Sequence, residues 1–595
     1  MKMWGLLMNS EPGKIRMVMS RPPVCAPILL LAALLLPLFS ASAEGLPSSD
    51  FSGRSAEKRP ELLDERRQPP VPLMTLPPPP APARESSGQI LKGFFARKIT
   101  VVGSSVFTPE ELATVIAPYE NRTVSMEDLE SLRRDLTMLY VNRGFINSGA
   151  VIPDQSITDG QITIQVVEGR LADITVQGNR WFSDSYLRDR IALGAEVPLN
   201  VGSLQERLQL MQQDQRIERI HAEMRPGSKA GDAELRVKVD ERPPISAWLA
   251  FNNYQSPSIG AERGIMTLAH QNLTGHGDVL SFTYGYSDGL NPLLDTWYAV
   301  PLNAYDTTLM FRYRNNDTTV VDRVFGPLDI VQKTESYELS VRQPLYRSLS
   351  QEFAVSLSLE HEHNETSLSG MPFSFYPGVI NGSSNVVPLR FSQDWTYRTQ
   401  KQVMTVRSRF SYGLNTWDAT VHGNDKIPDG KFFAWLGQFQ WAKILDFKDI
   451  QLIARADIQK SNQSLLPIEQ FGFGGRYTVR GYRENLLVRD EAFVASFEAR
   501  LPLVQSTSWA DYLQVAPFID YGRGTNVDLP TASPKDIAGI GAGLRWGTTV
   551  LKVPFDLKAD AEVYYGYKWR TLHNTQYEDI QDDGIHFQIG LTAFF

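Results

Sequence analysis

The chain has 595 residues, of which 42% are hydrophobic and 10% aromatic, and carries a formal net charge of −8. That length exceeds one ordinary core and calls for several domains or one very large barrel, and the acidic balance argues against a nucleic-acid partner. The single cysteine, Cys25, leaves no room for a disulfide framework or a thiol relay.

At the N-terminus, Lys14, Arg16 and Arg21 precede an apolar run from Ile28 to Phe39, followed by Ala41-Ser42-Ala43. This predicts a secretory signal peptide over residues 1–43, with Met17 or Met19 as alternative starts. The apolar run is too short to cross a bilayer as a helix. Cleavage would remove Lys2, Lys14, Arg16, Arg21 and Glu11, shifting the net charge from −8 to −11. No later run of 18 or more apolar residues occurs, so helical spans are not expected. What remains is an exported soluble protein or a β-barrel, and 22 Tyr, 29 Phe, 11 Trp and 43 Gly favour the barrel.

Residues 44–93 are polar and proline-rich, with Pro69, Pro70, Pro72, the run Pro77 to Pro80 and Pro82, the pattern of a semi-rigid linker. Within it, Ala56 to Gln68 is either a short helix or a disordered tail.

Residues 94–170 read as a strand–helix–helix–strand–strand unit. Thr108 caps a helix that begins at Pro109, and Ser125 caps a second whose Leu129, Leu132, Leu136 and Tyr140 fall at helical spacing. Strands are expected near 150–154 and 161–167. Residues 171–244 repeat the order: a strand at 171–177, a helix capped by Ser183, a second helix from Ser203 to Gln213, and strands at 220–225 and 234–240. The sheet edges of such modules can accept an extended chain by strand addition.

From Ile245 to Phe595 the chain alternates strand-like and loop-like segments. Sixteen strands are expected, near 245–254, 263–273, 277–287, 293–302, 306–317, 334–345, 350–365, 386–396, 402–413, 431–445, 448–462, 492–503, 513–523, 536–547, 555–568 and 584–595. Short turns at Thr274-Gly275-His276 and Asp446-Phe447 alternate with long loops at 318–333, 367–385, 415–430 and 463–491. That asymmetry is typical of an outer-membrane barrel. In the last strand, Ile585, Phe587, Ile589, Leu591, Ala593 and Phe595 share one apolar face, and the pattern resembles the C-terminal assembly signal of such barrels.

The loop 463–491 carries the most specific motif, Val479-Arg480-Gly481-Tyr482, within a stretch rich in glycine and aromatic residues. A loop of this length is expected to fold back and obstruct a wide lumen. On the strand that follows the next one, Val515, Ile519 and Tyr521 take the lipid face, so Asp520 points inward. Arg480 then has Asp520 as a bidentate partner, Glu498 on the preceding strand as an alternative, or solvent alone.

Together, the Val479–Tyr482 motif, the strand with Phe518, Asp520 and Gly522, the two repeated modules and the terminal Phe595 resemble the two-partner secretion transporters of the haemolysin-activator type. The modules resemble POTRA domains, and the second also carries Gly178-Asn179, Leu199-Asn200, Leu204 and Arg225-Pro226-Gly227. The resemblance implies an all-β, 16-stranded transmembrane β-barrel preceded by two small α+β POTRA domains, at 94–170 and 171–244. It implies an outer-membrane protein with its modules in the periplasm, needing no cofactor or metal, and in some members a pore plugged by an N-terminal helix, for which Ala56 to Gln68 is short. The modules would catch a large secreted exoprotein (an adhesin, haemolysin or toxin) and the barrel would export it. It further implies a monomeric barrel inserted by the barrel-assembly machinery into outer-membrane lipid, with Phe587, Ile589, Leu591 and Phe595 as the assembly signal, and with Arg480 pairing with Asp520 in the lumen.

Three patterns suggest other chemistry. Gly285-Tyr286-Ser287-Asp288-Gly289 matches a nucleophile elbow but lacks the helix that chemistry needs. Gly539, Gly541 and Gly543 have the spacing of a dinucleotide turn, and without a following helix read as strand glycines. His361 and His363 share a strand face without an evident third ligand. The rival functions are a POTRA-barrel assembly factor that inserts other outer-membrane proteins, a passive porin, and a barrel-fused enzyme.

Overall fold

In the computed structural model the described residues are 73–76 and 93–595, apart from 324, 425, 553–555 and 571–578. The expected signal peptide, the Ala56–Gln68 segment and most of the linker lie outside them. A three-residue strand, β1 (Leu73–Thr75), is described within the linker.

The first module comprises β2 (Phe94–Ala96), β3 (Lys98–Val102), helix α1 (Pro109–Ile116), β4 (Arg122–Val124), helix α2 (Met126–Asn142), β5 (Gly149–Val151) and β6 (Gln161–Val167). Both helices start with a reciprocal capping box. Thr108 exchanges hydrogen bonds with Glu111 and Ser125 with Asp128, so each helix has two of its orphan N–H groups satisfied locally. The apolar stripe Leu129, Leu132, Leu136 and Tyr140 of α2 packs on Ile162, Ile164 and Val166 of β6. Burial pushes the Tyr140 phenol up to about 12, with its bond to Glu168 adding to the rise, so the hydroxyl stays protonated and tied to Ser104 and Glu168.

The second module comprises β7 (Arg170–Gln177), helix α3 (Asp184–Ala192), helix α4 (Val201–Gln212), β8 (Ile217–Pro226) and β9 (Asp232–Glu241). Helix α4 begins two residues before the expected Ser203. Asn200 accepts from the N–H groups of Gly202 and Ser203 and takes the capping position. Its sheet runs β1-β8-β9-β7, with β1 parallel to β8 and Leu73 opposite His221. The linker thus contributes a strand to the second module and not to the first, which follows it directly; alternation within 44–93 gave no hint of this.

The barrel comprises β10 (Ile245–Asn252), β11 (Arg263–His270), β12 (Val279–Ser287), β13 (Leu290–Pro301), β14 (Thr308–Thr319), β15 (Ile330–Arg347), β16 (Gln351–Leu368), β17 (Met371–Pro372), β18 (Ser383–Val386), β19 (Pro388–Arg398), β20 (Gln402–Gly413), β21 (Phe433–Ile444), β22 (Gln451–Ser461), β25 (Glu491–Gln505), β26 (Tyr512–Thr525), β27 (Asp536–Leu551), β28 (Asp556–Lys568) and β29 (Ile585–Phe594). Between β22 and β25 lies a separate hairpin, β23 (Phe471–Phe473) and β24 (Leu487–Arg489). With β17 and β18 counted as extensions of the hairpin they join, sixteen antiparallel strands form a closed barrel. Closure is made by β10 against β29, from Ser246 opposite Phe594 to Asn252 opposite Gln588. Strands β15 and β16 are each 18 residues long, outrunning the expected 334–345 and 350–365.

Alternation along each strand sorts the side chains. On the outer face, Leu249, Phe251, Tyr284, Ile519, Tyr521, Ile589 and Leu591 are exposed apolar groups, as a lipid-facing surface requires. Phe587 packs beside Phe251 with ring centroids 5.8 Å apart. On the inner face, Arg312, Glu360, Arg390, Glu498 and Asp520 are buried.

The second module docks on the short-turn end of the barrel. Arg216 donates to the carbonyls of Gln271 (2.9 Å) and Gly277 (2.6 Å) in the turn after β11. Arg190 pairs with Asp306 at 2.6 Å, and Arg207 reaches the Ala304 carbonyl at 3.2 Å in the turn after β13. Burial raises the Asp214 carboxyl, but the adjoining Arg216 guanidinium outweighs it and holds the group below its ordinary range.

Candidate functional site: the loop inside the barrel

Residues 462–490 leave β22, turn into the lumen and return to β25. The hairpin β23–β24 stiffens this loop, and Gly474 and Gly475 (φ +114° and +96°) then bend the chain into its tip. Such φ values are strained for any side chain with a Cβ. Phe471, Phe473, Val479, Tyr482 and Leu487 form an apolar cluster with Leu436, Val494 and Ile537 of the wall, so the loop brings its own core.

Arg480 is among the largest fully buried side chains, at 2% exposure. Its Nε donates to Asp520 Oδ2 at 2.7 Å and its Nη2 to Asp520 Oδ1 at 2.8 Å, while the Arg480 backbone N–H adds a third bond at 3.0 Å. Nη1 simultaneously bonds Glu498, and Nη2 also reaches Ser496 Oγ at 3.0 Å. The two carboxylates that alternation offered as alternatives therefore act together. The register explains this: Ser496 stands opposite Asp520 and Glu498 opposite Phe518, so β25 and β26 present one bay of acceptors. The Phe518 ring forms its floor, with the guanidinium carbon 3.6 Å from the ring centre. A dry, planar cation with every face engaged suits arginine and not lysine.

Around this bay the wall is built of glycine. A Cβ on Gly539 would lie 2.0 Å from the Arg480 carbonyl, and one on Gly566 2.5 Å from the Gly481 nitrogen. Gly481 itself has φ +98°. Loop backbone lies directly on wall backbone here, which accounts for Gly539 within the Gly539, Gly541, Gly543 series. Further bonds secure the tip: Tyr482 donates to the Ala538 carbonyl at 3.0 Å, Arg476 pairs with Glu562 at 2.9 Å, and Arg483 pairs with Asp582.

The base of the loop carries a contact that sequence reasoning missed. Arg390 of β19 donates twice to Glu469, at 2.9 and 3.1 Å, and its Nε reaches Glu360 of β16 at 3.1 Å. No local pattern links positions 79 residues apart in sequence.

The remaining candidates fall elsewhere. Ser287 sits in the β12–β13 hairpin, with its hydroxyl donating to the Ile259 carbonyl at 2.9 Å. His361 and His363 lie on the β16 face opposite the buried Glu360 and Glu362, and His363 bonds Asn385.

Comparison with known proteins follows the same lines. The family described as haemolysin secretion/activation protein ShlB/FhaC/HecB matches residues 231–546, and a POTRA domain of ShlB type matches residues 94–169. The outer membrane transporter CdiB of Escherichia coli is 23% identical over 479 residues, covering 78% of this chain and 79% of its own. The hemolysin transporter protein ShlB of Serratia marcescens is 26% identical over 185 residues, 31% of each chain. Among solved structures, CdiB from Escherichia coli aligns with a TM-score of 0.64 at 19% identity, covering 90% of this chain and 97% of that one, a likeness of fold. With more than half its length matched, the chain belongs to the haemolysin secretion/activation family, the outer-membrane transporters of two-partner secretion.

Proposed function

We propose that the chain receives a large partner exoprotein in the periplasm on its two modules, passes it through the barrel and releases it at the cell surface, with no catalytic step of its own. The observation that carries this reading is the lumen loop, fastened by Arg480 to Asp520 and Glu498 in a dry bay, where the attraction between the paired charges is strongest. A fixed obstruction needs no such fastening, since apolar packing would be as stable. A gate does, because one shift of the loop wets the bay and removes most of the attraction.

The receiving end is read from the modules. Their docking on the short-turn end of the barrel supports assigning that end to the periplasm, and β1 on the edge of β8 is an example of this sheet pairing with an extended segment. An exoprotein would bind in the same mode, by backbone hydrogen bonds with little side-chain selection. The outward face of β29, with Phe587, Ile589, Leu591 and Phe595, is the surface we assign to recognition by the assembly machinery.

The test is to delete the chain in its native host and follow two products. Loss of one large exoprotein from the surface, with other outer-membrane barrels at normal levels, supports the proposal. A general fall in outer-membrane barrels with the exoprotein still exported would identify an assembly factor instead.

A further inference from the structure

We infer that Arg390 and Glu469 form a second fastening, which positions the base of the lumen loop and thereby sets how readily Arg480 returns to its bay. This inference rests on the gate reading above and names a residue pair that controls it.

The two fastenings have opposite polarity. At its tip the loop supplies the cation, Arg480, and the wall supplies the carboxylates. At its base the loop supplies the carboxylate, Glu469, and the wall supplies Arg390. Between β19, which carries Arg390, and β26, which carries Asp520, stand β20, β21, β22 and β25. The loop is therefore strapped to two separate faces of the lumen.

Local structure makes Glu469 the root of the strap. Leu465 and Leu466 pack on Val386 and Phe432, and the short turn Pro467–Glu469 then delivers the carboxylate onto Arg390. Arg390 is aimed in turn: Nε bonds Glu360 at 3.1 Å, Nη1 bonds Ser411 of β20 at 3.1 Å, and Glu360 also pairs with Arg314 of β14. Arg390, Glu469, Glu360 and Arg314 are all buried, at 3%, 1%, 1% and 6% exposure. Immediately after Glu469, the two legs of the loop are clipped together. Gln459 donates to the carbonyls of Glu469 (3.3 Å) and Asp490 (3.1 Å), and Gln470 donates to Asp490 Oδ1 at 2.8 Å. The hairpin β23–β24 projects from this clip towards Arg480.

A bidentate guanidinium–carboxylate pair at the root fixes direction as well as distance, which apolar contact does not. With the root held, a tip released from Asp520 swings about one pivot and finds the bay again. With the root free, the hairpin keeps its own fold but samples many directions, and the closed state is reached less often. Buried ion pairs are best attested in this register-setting role.

The test uses the full purified chain in planar lipid bilayers. Glu469→Gln keeps the shape and removes the charge. The closed-to-open ratio read from channel current is expected to fall at least about tenfold, the scale of a lost charged hydrogen bond, while the fraction of chain migrating as a heat-sensitive folded barrel stays at the wild-type level. Glu469→Asp, which keeps the charge at shorter reach, should lie between the two. In the double variant with Arg390→Gln, the losses should fall short of additive. Wild-type gating in Glu469→Gln, or full additivity in the double variant, would overturn the inference. Arg480→Ala run in parallel separates the two readings. Leak in Arg480→Ala with none in Glu469→Gln removes only this inference, and no leak in either removes the gate as well.

Discussion

The tip of the lumen loop and the second module each meet the barrel through arginine, but the first joint is dry throughout and the second is wet on its carboxylate side. Side-chain exposure is 2% for Arg480 and 0% for Asp520, against 8% for Arg190 and 22% for Asp306. The dry joint puts one guanidinium against two carboxylates, so a single side chain carries its charge pairing, beside the tip contacts of Tyr482, Arg476 and Arg483. The wet joint spreads its bonds over Arg190, Arg207 and Arg216, and much of it goes to backbone carbonyls at Gln271, Gly277 and Ala304. A distributed joint survives the loss of any one member. On the proposed reading, the barrel combines a lasting attachment for the modules with a releasable one for the loop.

Arg480→Ala should break this contrast most strongly. It leaves Asp520 buried without its cation, while Glu498 keeps Arg500, and an unpaired buried charge costs about 3–5 kcal/mol of the closed state, so channel recordings should show a largely open pore. Gly566→Ala comes next. Its Cβ would lie 2.5 Å from the Gly481 nitrogen, and overpacking of about 1–3 kcal/mol should lift the tip while Arg480 keeps its charge. On the wet side, Asp306→Asn keeps the side chain's shape and leaves Arg190 its bond to the Asn303 carbonyl, so thermal unfolding of the assembled chain should move less than the closed state does in Arg480→Ala. A loss there as large as that of Arg480→Ala would erase the distinction.

The smallest effect is that of pH. Asp214 has its carboxyl held below the ordinary value of 3.8 by Arg216. A depressed carboxyl contributes stability that is fully present above the ordinary value and is lost as pH falls through the lower folded value. Amide exchange in the 271–278 turn should therefore be unchanged from pH 7 to pH 5, once corrected for intrinsic rates, and should rise only below pH 4. A corrected rise near pH 6 would mean that another group governs docking.

Much of this arrangement was legible along the chain because a barrel strand writes itself in period two. The inward Asp520 and Glu498, the outward Ile519 and Tyr521, and the capped helices at Thr108 and Ser125 all follow from local spacing. What stayed hidden depends on which inward residues meet across the lumen. Glu469 and Arg390 approach each other only through the path of the loop and the stagger of the strands. The simultaneous use of Asp520 and Glu498 needed the register of β25 against β26. Gly566 looks like any strand glycine until loop backbone is laid on it, and β1 is too short for any periodicity to announce it.

If the loop must leave its bay for an exoprotein to pass, a removable lock across the bay will stop export. A Cβ on Gly522 lies 2.9 Å from Val479 Cγ2 and 2.7 Å from the Phe473 ring, so Val479→Cys with Gly522→Cys, in a Cys25→Ser background, is within disulfide reach once that ring yields slightly. Arg480, Asp520 and Glu498 remain in place. With the cross-link formed, export of the partner exoprotein should stop, and a reductant should restore it. Undiminished export through a fully cross-linked population would contradict the account.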